Sequence, residues 1–281
     1  MEMFVQVERK RIPILMYHSI SGEASPKFRV FAVPPARFAE QMAYLYRQAY
    51  TPLTVSQLVQ ACQEGAAALP AKPVVLTFDD AFLDFYTAAL PVLQRYGLPA
   101  TLYIPTKYVN GTSRWMQRIG EGSRPLLSWQ QLQEVSRSEI ECGAHSHSHP
   151  QLDLLPLARA KQEIFHSKRI LEEHLGQAIA SFAYPHGYHT TAVRQLVRLA
   201  GYSSACAVGY ALSTETTDPF ALTRLLVSPD MDVHSFAALL DGHDRRVIFA
   251  SYTRPLAPVW RGVRYYSALV QRSQKGKEIR L

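Results

Sequence analysis

The segment at residues 73–80 constrains the fold most, because it is a short apolar run that ends in two adjacent carboxylates. Its sequence is PVVLTFDD, and residues 74–76 are aliphatic without interruption. Such a run is typical of a strand that is buried on both faces. At the end of this strand the carboxylates of Asp79 and Asp80 would repel each other and lose hydration, so they require a cation or a shared proton. A bound metal ion is the simplest answer.

Three histidines occupy every second position further along the chain. His145, His147 and His149 lie within the sequence ECGAHSHSHPQL at 141–152. Pro150 disfavours helical geometry for the residue before it, whereas alternate residues of an extended segment point the same way. Whether the segment is helical or extended, His145 and His149 can converge on one ion, and His147 can point elsewhere. Two neutral imidazoles and a carboxylate are typical ligands of a catalytic zinc ion.

Strand and helix patterns alternate along the rest of the chain. Repeated βα units favour an α/β fold with a parallel sheet that is closed or nearly closed into a barrel. The predicted strands are 12–17, 73–79, 100–104, 140–144, 181–184, 203–208 and 222–227. In such barrels, catalytic groups gather at the C-terminal ends of the strands. His18, Asp79, Asp80, His145 and Pro185 follow or end predicted strands, which supports a single site.

Two further features complete the predicted architecture. Helical patterns follow Pro35, Thr54, Asp84 and Ser128 and cover 157–175, 190–200 and 233–240. Pro91 predicts a kink or a late start in the helix that ends before Gly97. Residues 108–125 are predicted to form a long polar loop, and long loops often lie over a functional site.

The two motifs resemble those of the NodB-type polysaccharide deacetylases, also called carbohydrate esterase family 4. The resemblance rests on TFDD at 77–80 and H-S-x-x-H at 145–149. It extends to segments that look like the poly-N-acetylglucosamine deacetylase branch, namely LMYHSI at 15–20, FAVPPARFAEQMAYL at 31–45 and SFAYPHG at 181–187. The resemblance implies a distorted (β/α) barrel with catalytic residues at the C-terminal ends of its strands.

The resemblance also implies roles for the motif residues. Asp80, His145 and His149 would hold one divalent ion, with zinc as the first candidate and cobalt or nickel as alternatives. Asp79 would be the general base. The expected reaction is hydrolysis of an acetamide, in which the ion polarises the carbonyl and lowers the pKa of a water molecule. The products would be acetate and a free amino sugar.

The proton donor for the amine leaving group is assigned through the same resemblance. Many family members use a histidine in a Leu-x-His motif, which is not found here. The poly-N-acetylglucosamine branch uses the histidine of its N-terminal YH motif instead, and His18 matches that position. His234 and His186 are the alternatives. Without the resemblance, His18 would be interpreted as a core histidine after a strand.

The loop Tyr184–Gly187 follows a predicted strand and contributes further candidates. One of its backbone amides is a candidate donor to the oxyanion. Tyr184, Pro185 and His186 are candidates to orient the substrate or the oxyanion. The family pattern has an arginine, a proline and a tyrosine in this region, whereas this chain has Ala183, Pro185 and His186.

Two departures from the family pattern generate specific expectations. The missing arginine would normally orient the catalytic aspartate, so another group must keep Asp79 ionised. Arg224 is the candidate, because it adjoins the strand-like segment at 225–227, and a purely structural salt bridge is the equal alternative. The glycine that usually follows the aspartate pair is Ala81 here. Alanine is tolerable at this position only if its φ angle is negative.

Composition indicates one catalytic domain with a basic extension. The chain has 281 residues, of which 47% are hydrophobic, which is ample for a sizeable core. The domain is predicted at 1–244 and the aromatic-containing extension at 245–281. The extension holds nine Lys or Arg against one acid and so carries +8, whereas residues 1–244 carry −1 of the net charge of +7. A solvated extension is the simpler interpretation, and contact with an anionic membrane surface is the alternative. No nucleic-acid motif accompanies the charge.

The terminus and the cysteines add little to this assignment. Residues 1–18 contain no apolar run long enough for a signal peptide, and no segment approaches the ~20 apolar residues of a membrane span. A cytoplasmic location is therefore expected. The three cysteines are scattered, which indicates neither a disulfide framework nor a cysteine zinc site.

The expected substrate is an N-acetylated glycan that contains N-acetylglucosamine. The branch points to a β-1,6-linked polymer, whereas an intracellular location would favour a lipid-linked or nucleotide-linked precursor. Aromatic candidates for stacking on sugar rings are Tyr103, Tyr108, Trp115, Trp129, Tyr184 and Tyr188. Two other functions stay open, an O-acetyl esterase that uses the same site and a catalytically decayed carbohydrate-binding protein.

Overall fold

A ring of seven parallel strands forms the centre of the protein, in agreement with the predicted barrel. The computed structural model describes residues 10–209, 211–245 and 247. Its strands are β1 Ile14–Tyr17, β2 Thr51–Leu53, β3 Pro73–Phe78, β4 Ala100–Ile104, β5 Ile140–Ala144, β6 Ser181–Ala183, β7 Ser204–Val208 and β8 Leu222–Leu226. All strand pairs are parallel, and pairing of β1 with both β3 and β8 closes the ring.

β2 lies outside the ring and is not predicted by the sequence pattern. It is three residues long, contains Pro52 and is only partly buried, so it shows no hydrophobic periodicity. It pairs with the first half of β3, whereas β1 pairs with the second half and β4 also pairs with β3. The six residues of β3 are all buried. The strand that carries the two carboxylates therefore has three partner strands.

Seven α-helices accompany the strands in the described part of the chain. They are α1 Pro35–Arg47, α2 Val55–Glu64, α3 Leu90–Tyr96, α4 Trp129–Ser136, α5 Leu157–Leu175, α6 Thr191–Leu199 and α7 Val233–Leu240. Thr54 and Ser128 begin α2 and α4 with capping boxes, as their sequences predict. A π-helical turn at Phe85–Ala89 leads directly into α3, and Pro91 lies in the first turn of α3. The helical segment therefore starts early, at residue 83, and the π turn is the irregularity that precedes Pro91.

Side chains of the strands alternate between the outer helices and the barrel interior, because the side-chain period of a strand is two. Leu76 and Phe78 of β3 belong to the large outer core that includes Phe38 of α1. Val75 belongs to the inner cluster, together with Leu58 of α2. Both faces of β3 are thus covered by apolar groups.

α2 closes the N-terminal end of the barrel. The amide of Val55 donates to Thr101 Oγ1 near the start of β4 at 3.0 Å. Glu141 of β5 accepts from the amide of Ser56 at 3.2 Å and from Thr101 Oγ1 at 2.8 Å. These contacts close the N-terminal end of the barrel. The open end is therefore the C-terminal end, where the predicted site residues lie.

The predicted extension at 245–281 lies outside the described residues, apart from 245 and 247. None of the described helices combines the length and the apolar character that crossing a lipid bilayer requires.

Gly143 of β5 is a position where the barrel interior has no room for a side chain. A Cβ atom there would lie 2.6 Å from Cε1 of Tyr103 and 3.0 Å from the carbonyl oxygen of Ser181. The Tyr103 ring is held in place, because its hydroxyl lies 2.7 Å from Ser181 Oγ. We therefore expect Gly143→Ala to lower the free energy of unfolding by about 1–3 kcal/mol, measured by urea denaturation.

Gly22→Ala is the matched control for this substitution. No heavy atom lies within 4 Å of a Cβ built at Gly22, and both variants change the unfolded chain in the same way. Equal unfolding midpoints for the two variants would contradict tight packing at Gly143.

Candidate metal centre

Asp80, His145 and His149 converge at the C-terminal end of the barrel. Asp80 comes shortly after β3, and His145 directly follows β5. One ligand atom from each residue lies within 4.8 Å of the other two, and all three residues are buried. Asp80 Oδ1 is 3.2 Å from His149 Nε2 and 3.8 Å from His145 Nε2. The structure thus brings together the three residues that the sequence analysis names as metal ligands, and the cluster can hold a metal ion.

The surroundings of Asp80 fit a bound cation. Its Oδ1 atom is buried and accepts no well-aligned hydrogen bond from the described residues. Burial would raise the pKa of this carboxyl, but the nearby imidazoles, His149 first, lower the pKa overall. A buried carboxylate oxygen that accepts no well-aligned hydrogen bond is unfavourable. Two imidazole nitrogens and one carboxylate oxygen are a donor set that zinc accepts in catalytic sites.

His145 is oriented by the backbone of β6. Its Nδ1 atom lies 2.8 Å from the carbonyl oxygen of Ala183. This contact favours the tautomer with the proton on Nδ1 and leaves Nε2 facing Asp80, as in metal sites where a second hydrogen bond fixes the ligand ring. Burial is the largest influence on this imidazole and lowers its pKa to about 4. The ring is therefore neutral at pH 7, which is the form that binds a metal.

The loop that carries His149 is held by α5. Glu163 of α5 accepts hydrogen bonds from the amide and the hydroxyl of Ser148, both at 2.6 Å. The amide of His149 donates to Ser146 Oγ at 3.1 Å. His147 turns away from the cluster and packs its ring against α5. The loop therefore presents His145 and His149 to one point and His147 to another.

Asp79 is paired with Arg224 inside the barrel. Nη1 and Nη2 of Arg224 donate to Oδ1 and Oδ2 of Asp79 at 2.6 and 2.7 Å. Arg224 is fully buried, and it also donates to the carbonyl oxygen of Ala207 and to Thr77 Oγ1, both at 3.2 Å. Burial would raise the pKa of Asp79, but the adjacent guanidinium and imidazole groups outweigh it and lower the pKa. Asp79 is therefore an ionised carboxylate.

Two histidines besides the cluster line the cavity above it. His18 Nε2 lies 4.0 Å from Asp79 Oδ2, and the His18 ring packs 4.7 Å from that of Phe31. Burial lowers the pKa of His18. The ring of His186 lies 4.8 Å from that of His149. His234 is exposed at the start of α7 and does not line the cavity.

The cavity has a volume of about 660 Å³, and one of its walls is apolar. That wall comes from the loop after β1 and the loop between β4 and α4, and it consists of Phe28, Val30, Phe31, Trp115, Met116 and Ile119. The second loop is the one predicted to lie over a site. The sequence analysis missed the first loop, which has no periodicity that would identify it.

The comparison with known proteins agrees with this geometry. The sequence profile described as polysaccharide deacetylase matches residues 66–205, a range that includes both motifs. The chain belongs to the polysaccharide deacetylase family. Over 136 residues it is 32% identical to the poly-beta-1,6-N-acetyl-D-glucosamine N-deacetylase of Escherichia coli (strain K12), a match that covers 47% of this chain and 20% of that protein.

Two solved structures share the fold. The deacetylase PplD of Streptococcus pyogenes, solved in complex with acetate, has a TM-score of 0.70 and 26% identity, and the match covers 83% of this chain and 99% of that one. IcaB from Ammonifex degensii has a TM-score of 0.71 and 25% identity, with coverage of 82% and 96%. The barrel of this chain is therefore of the NodB type, as the motifs imply.

The arginine that pairs with Asp79 lies on β8, whereas the family pattern has its arginine at the end of β6. The motif position at the end of β6 is Ala183, whose carbonyl oxygen contacts His145. Arg224 of β8 reaches Asp79 through the barrel interior instead. The sequence left two interpretations of Arg224 open, a partner that keeps Asp79 ionised and a purely structural salt bridge. In the structure Arg224 forms its ion pair with Asp79.

The expectation that Ala81 has a negative φ angle is wrong. Its φ is +51°, and that of Asp80 is +76°. The left-handed region is unfavourable by about 1–3 kcal/mol for a residue with a Cβ atom and persists only when surrounding contacts impose it. Ser146, His149 and His186 also have positive φ, so five of the seven such non-glycine residues in the described chain lie in this site. Backbone strain therefore concentrates where the carboxylates and imidazoles are presented.

Tyr184 and Pro185 do not line the cavity, contrary to the expectation. The Tyr184 ring is buried, and its hydroxyl donates to the carbonyl oxygen of Phe220 at 3.0 Å. The amide of Tyr184 donates to Cys206 O at 3.0 Å and that of Gly187 to Tyr184 O at 2.8 Å, while Pro185 has no amide hydrogen. These groups are engaged in joining β6 to β7 and in closing the turn, so none of the three is the predicted oxyanion donor.

Some of the aromatic candidates line the cavity and others do not. Trp115 and Tyr188 line the cavity, whereas Tyr103 is buried in the barrel. Trp129 stacks on His174, and Tyr108 packs against the ring of Trp115. Aromatic residue type alone therefore does not identify a sugar-facing side chain.

Removing Arg224 would leave Asp79 as an unpaired carboxylate inside the barrel. Loss of one partner of a buried ion pair typically destabilises a protein by about 3–5 kcal/mol. We expect a loss of this size in the free energy of unfolding of Arg224→Ala, measured by urea denaturation. Arg169→Ala is the control, because it removes an exposed pair with Glu173, for which the loss should stay below about 1 kcal/mol. Similar losses in the two variants would argue against a buried charge pair.

Glu163→Ala should weaken zinc binding about 10–100-fold although it removes no ligand. The reason is that Ser148 loses the two hydrogen bonds that it donates to Glu163, which hold the strained loop before His149 against α5. The measurement is competition with a chromophoric chelator. His145→Ala, which lacks a ligand, should abolish tight binding, and Glu173→Ala on the exposed side of α5 should not change it. Equal zinc affinities of the Glu163 and Glu173 variants would rule out the holding role.

Proposed function

We propose that this protein is a metal-dependent N-deacetylase, which hydrolyses the acetamide of N-acetylated sugars and releases acetate. The observation that carries the proposal is the buried cluster of Asp80, His145 and His149 beside the ionised carboxylate of Asp79. A general base beside a metal site at the bottom of a cavity is what metal-assisted amide hydrolysis requires. Membership of the polysaccharide deacetylase family supports the same reaction.

Asp80, His145 and His149 would hold one divalent ion. When bound, such an ion polarises the acetamide carbonyl and lowers the pKa of a water molecule. Zinc is the first candidate, since imidazole and carboxylate ligands in a set of three are typical of catalytic zinc sites. Cobalt and nickel accept the same donor atoms and are the alternatives.

Asp79 is the general base in this proposal. Arg224 binds both of its oxygens, so the carboxylate is ionised and cannot rotate freely. Its Oδ2 atom also lies 3.8 Å from His145 Nε2, at the edge of the metal cluster. As the water oxygen forms a bond to the acetyl carbon, the proton of that water passes to Asp79.

Cleavage of the bond between carbon and nitrogen then requires a proton for the departing amine. We assign this role to His18, which lines the cavity with Nε2 at 4.0 Å from Asp79 Oδ2. Burial lowers the pKa of His18, so its imidazole would receive the proton that Asp79 took from the water before passing it to the amine. His186 also lines the cavity and is the alternative donor. One water and one acetamide thus give acetate and a protonated amino sugar.

A glycan that contains N-acetylglucosamine is the proposed substrate. Relatives in Escherichia coli and Staphylococcus epidermidis are named poly-beta-1,6-N-acetyl-D-glucosamine N-deacetylases. The apolar wall supports a sugar ligand, because the carbon-bound hydrogens of a pyranose ring pack well on side chains such as Phe31 and Trp115. The cavity is also lined by Asp79 and the metal cluster, where the acetamide would be hydrolysed.

Acetate release from N-acetylglucosamine oligomers by the zinc-loaded protein tests the proposal. Asp79→Asn keeps the shape of the side chain but cannot accept the proton, so we expect a loss of about two to four orders of magnitude in kcat. Asp218→Asn is the control, because this carboxylate pairs with Arg194 and Arg198 on the surface. A loss below about tenfold in Asp79→Asn would refute the assigned base. Absence of acetate from every N-acetylated glycan would refute the function.

The same assay separates an N-deacetylase from an O-acetyl esterase. An amine leaving group needs a proton, whereas the oxygen of an ester leaves with less help. His18→Ala should therefore reduce the rate on an N-acetylated glycan more than the rate on its O-acetylated counterpart. A wild-type protein that acts only on the O-acetylated glycan would support the esterase instead.

A further inference from the structure

Arg124 joins three loops at the mouth of the cavity, which follow β1, β3 and β4. Its Nη1 atom donates to Ser19 Oγ at 3.0 Å and to Asp84 Oδ2 at 3.3 Å. Its Nη2 atom lies 3.0 Å from Glu121 Oε2 and donates to the carbonyl oxygen of Glu23 at 2.8 Å. One guanidinium group therefore contacts all three loops.

The first branch of this network reaches the proposed proton donor. Asp84 Oδ2 accepts from Ser19 Oγ at 2.5 Å, and Oδ1 accepts from the amide of Ile20 at 3.1 Å. Ser19 directly follows His18, and its amide donates to the carbonyl oxygen of Phe31 at 3.1 Å. The ring of Phe31 in turn packs against His18. Asp84 thus fixes the chain on the C-terminal side of His18.

The second branch reaches the apolar wall. Glu121 Oε1 accepts from the amide of Ser25 at 2.5 Å, and Ser25 Oγ donates to the carbonyl oxygen of Ile119 at 2.8 Å. The amide of Phe28 donates to Ser25 O at 3.0 Å, and the Arg124 guanidinium lies 5.0 Å from the centre of the Phe28 ring. Phe28 and Ile119, which both line the cavity, are therefore tied to Glu121.

The hydrogen bonds of Arg124, Asp84 and Glu121 fix the relative positions of the three loops more closely than apolar packing alone would. The side chains of Arg124, Asp84 and Glu121 are 12%, 17% and 9% exposed, so their hydrogen bonds are largely shielded from water. Apolar contacts are non-directional, whereas charge-assisted hydrogen bonds of a guanidinium group fix orientation as well as distance. Asp84 lies at the start of the helical segment that leads into α3, whereas Ser19, Glu23, Glu121 and Arg124 lie outside helices and strands.

We propose that Arg124 is a positioning residue of the active site, which acts through Asp84 on His18 and through Glu121 on the wall that receives the sugar. This inference rests on the proposed deacetylase function. The two branches leave Arg124 separately, so their kinetic effects are separable. Loosening the Asp84 branch affects the proton-transfer step and hence kcat. Loosening the Glu121 branch weakens binding that is equal in the ground and transition states, and hence raises KM.

Steady-state kinetics of Asp84→Asn and Glu121→Gln on one N-acetylglucosamine oligomer test this division. We expect Asp84→Asn to lower kcat about tenfold with little change in KM, and Glu121→Gln to raise KM about tenfold with little change in kcat. Arg124→Ala should do both. Arg124→Lys should recover less than half of the loss, because an ammonium group cannot reproduce the planar fork. Added guanidinium ion should restore part of the activity of Arg124→Ala.

Arg194→Ala is the matched control, since it removes a half-exposed arginine–aspartate pair on α6 and should leave kcat and KM unchanged. Wild-type kinetics of a folded Arg124→Ala variant would overturn the proposal. The same holds if the two carboxylate variants change kcat and KM in equal proportion. If Arg124→Ala fails to fold, the carboxylate variants decide alone, because they keep the arginine.

Hydrogen exchange of the backbone gives a readout that does not depend on activity. In the zinc-loaded protein, segments 18–31 and 113–124 should exchange faster in Arg124→Ala than in Arg194→Ala, with unchanged zinc content. Unchanged exchange would overturn the proposal even if the enzyme is active. A wild-type protein that releases no acetate would refute the proposed function, while faster exchange would still support the positioning role.

Discussion

Two adjacent buried carboxylates, Asp79 and Asp80, set the requirements that the rest of the site meets. Neighbouring negative charges in a desolvated position are stable only if each has its own compensation. Asp79 obtains a bidentate guanidinium from inside the barrel, and Asp80 obtains two imidazoles from the loop after β5. Because the partners differ, the carboxylates can differ in role. Asp79 is held as an ionised group with a fixed orientation, and Asp80 presents an oxygen that suits a cation.

The barrel explains how such different partners reach one point. β3, β5 and β8 are parallel members of one ring, so their C-terminal ends meet at the same edge. The side chain of Arg224 starts inside the ring and extends to that edge. His145 and His149 reach the same edge from the loop that follows β5. The chain accommodates this convergence through positive φ angles at Asp80, Ser146 and His149. Strain of this kind persists only in a framework that is stable elsewhere, and the buried strand β3 with its three partners is such a framework.

The sequence predicts those parts of the structure that depend on local pattern. A continuous aliphatic run identifies β3, and capping boxes at Thr54 and Ser128 identify the starts of two helices. The motif spacing also predicts the cluster of Asp80 and the two histidines. The sequence does not predict β2, the positive φ of Ala81 or the burial of Tyr184, because these depend on contacts with distant segments. Residues such as Phe28 and Arg124 lie in loops without periodicity, so no local signal connects them to the site.

The barrel and the loops therefore contribute different properties to the active site. Apart from His149, which lies in the loop after β5, the groups proposed to carry the chemistry follow closely on the ends of strands. Their partners Arg224 and Ala183 are themselves strand residues. The wall that would contact the sugar consists of loop residues, whose relative positions depend on hydrogen bonds from Arg124. A change in the wall can thus alter substrate preference without disturbing Asp79 or the metal cluster. A substitution of Arg224 would instead affect stability and the proposed base together, because the same guanidinium group stabilises the barrel interior and keeps Asp79 ionised.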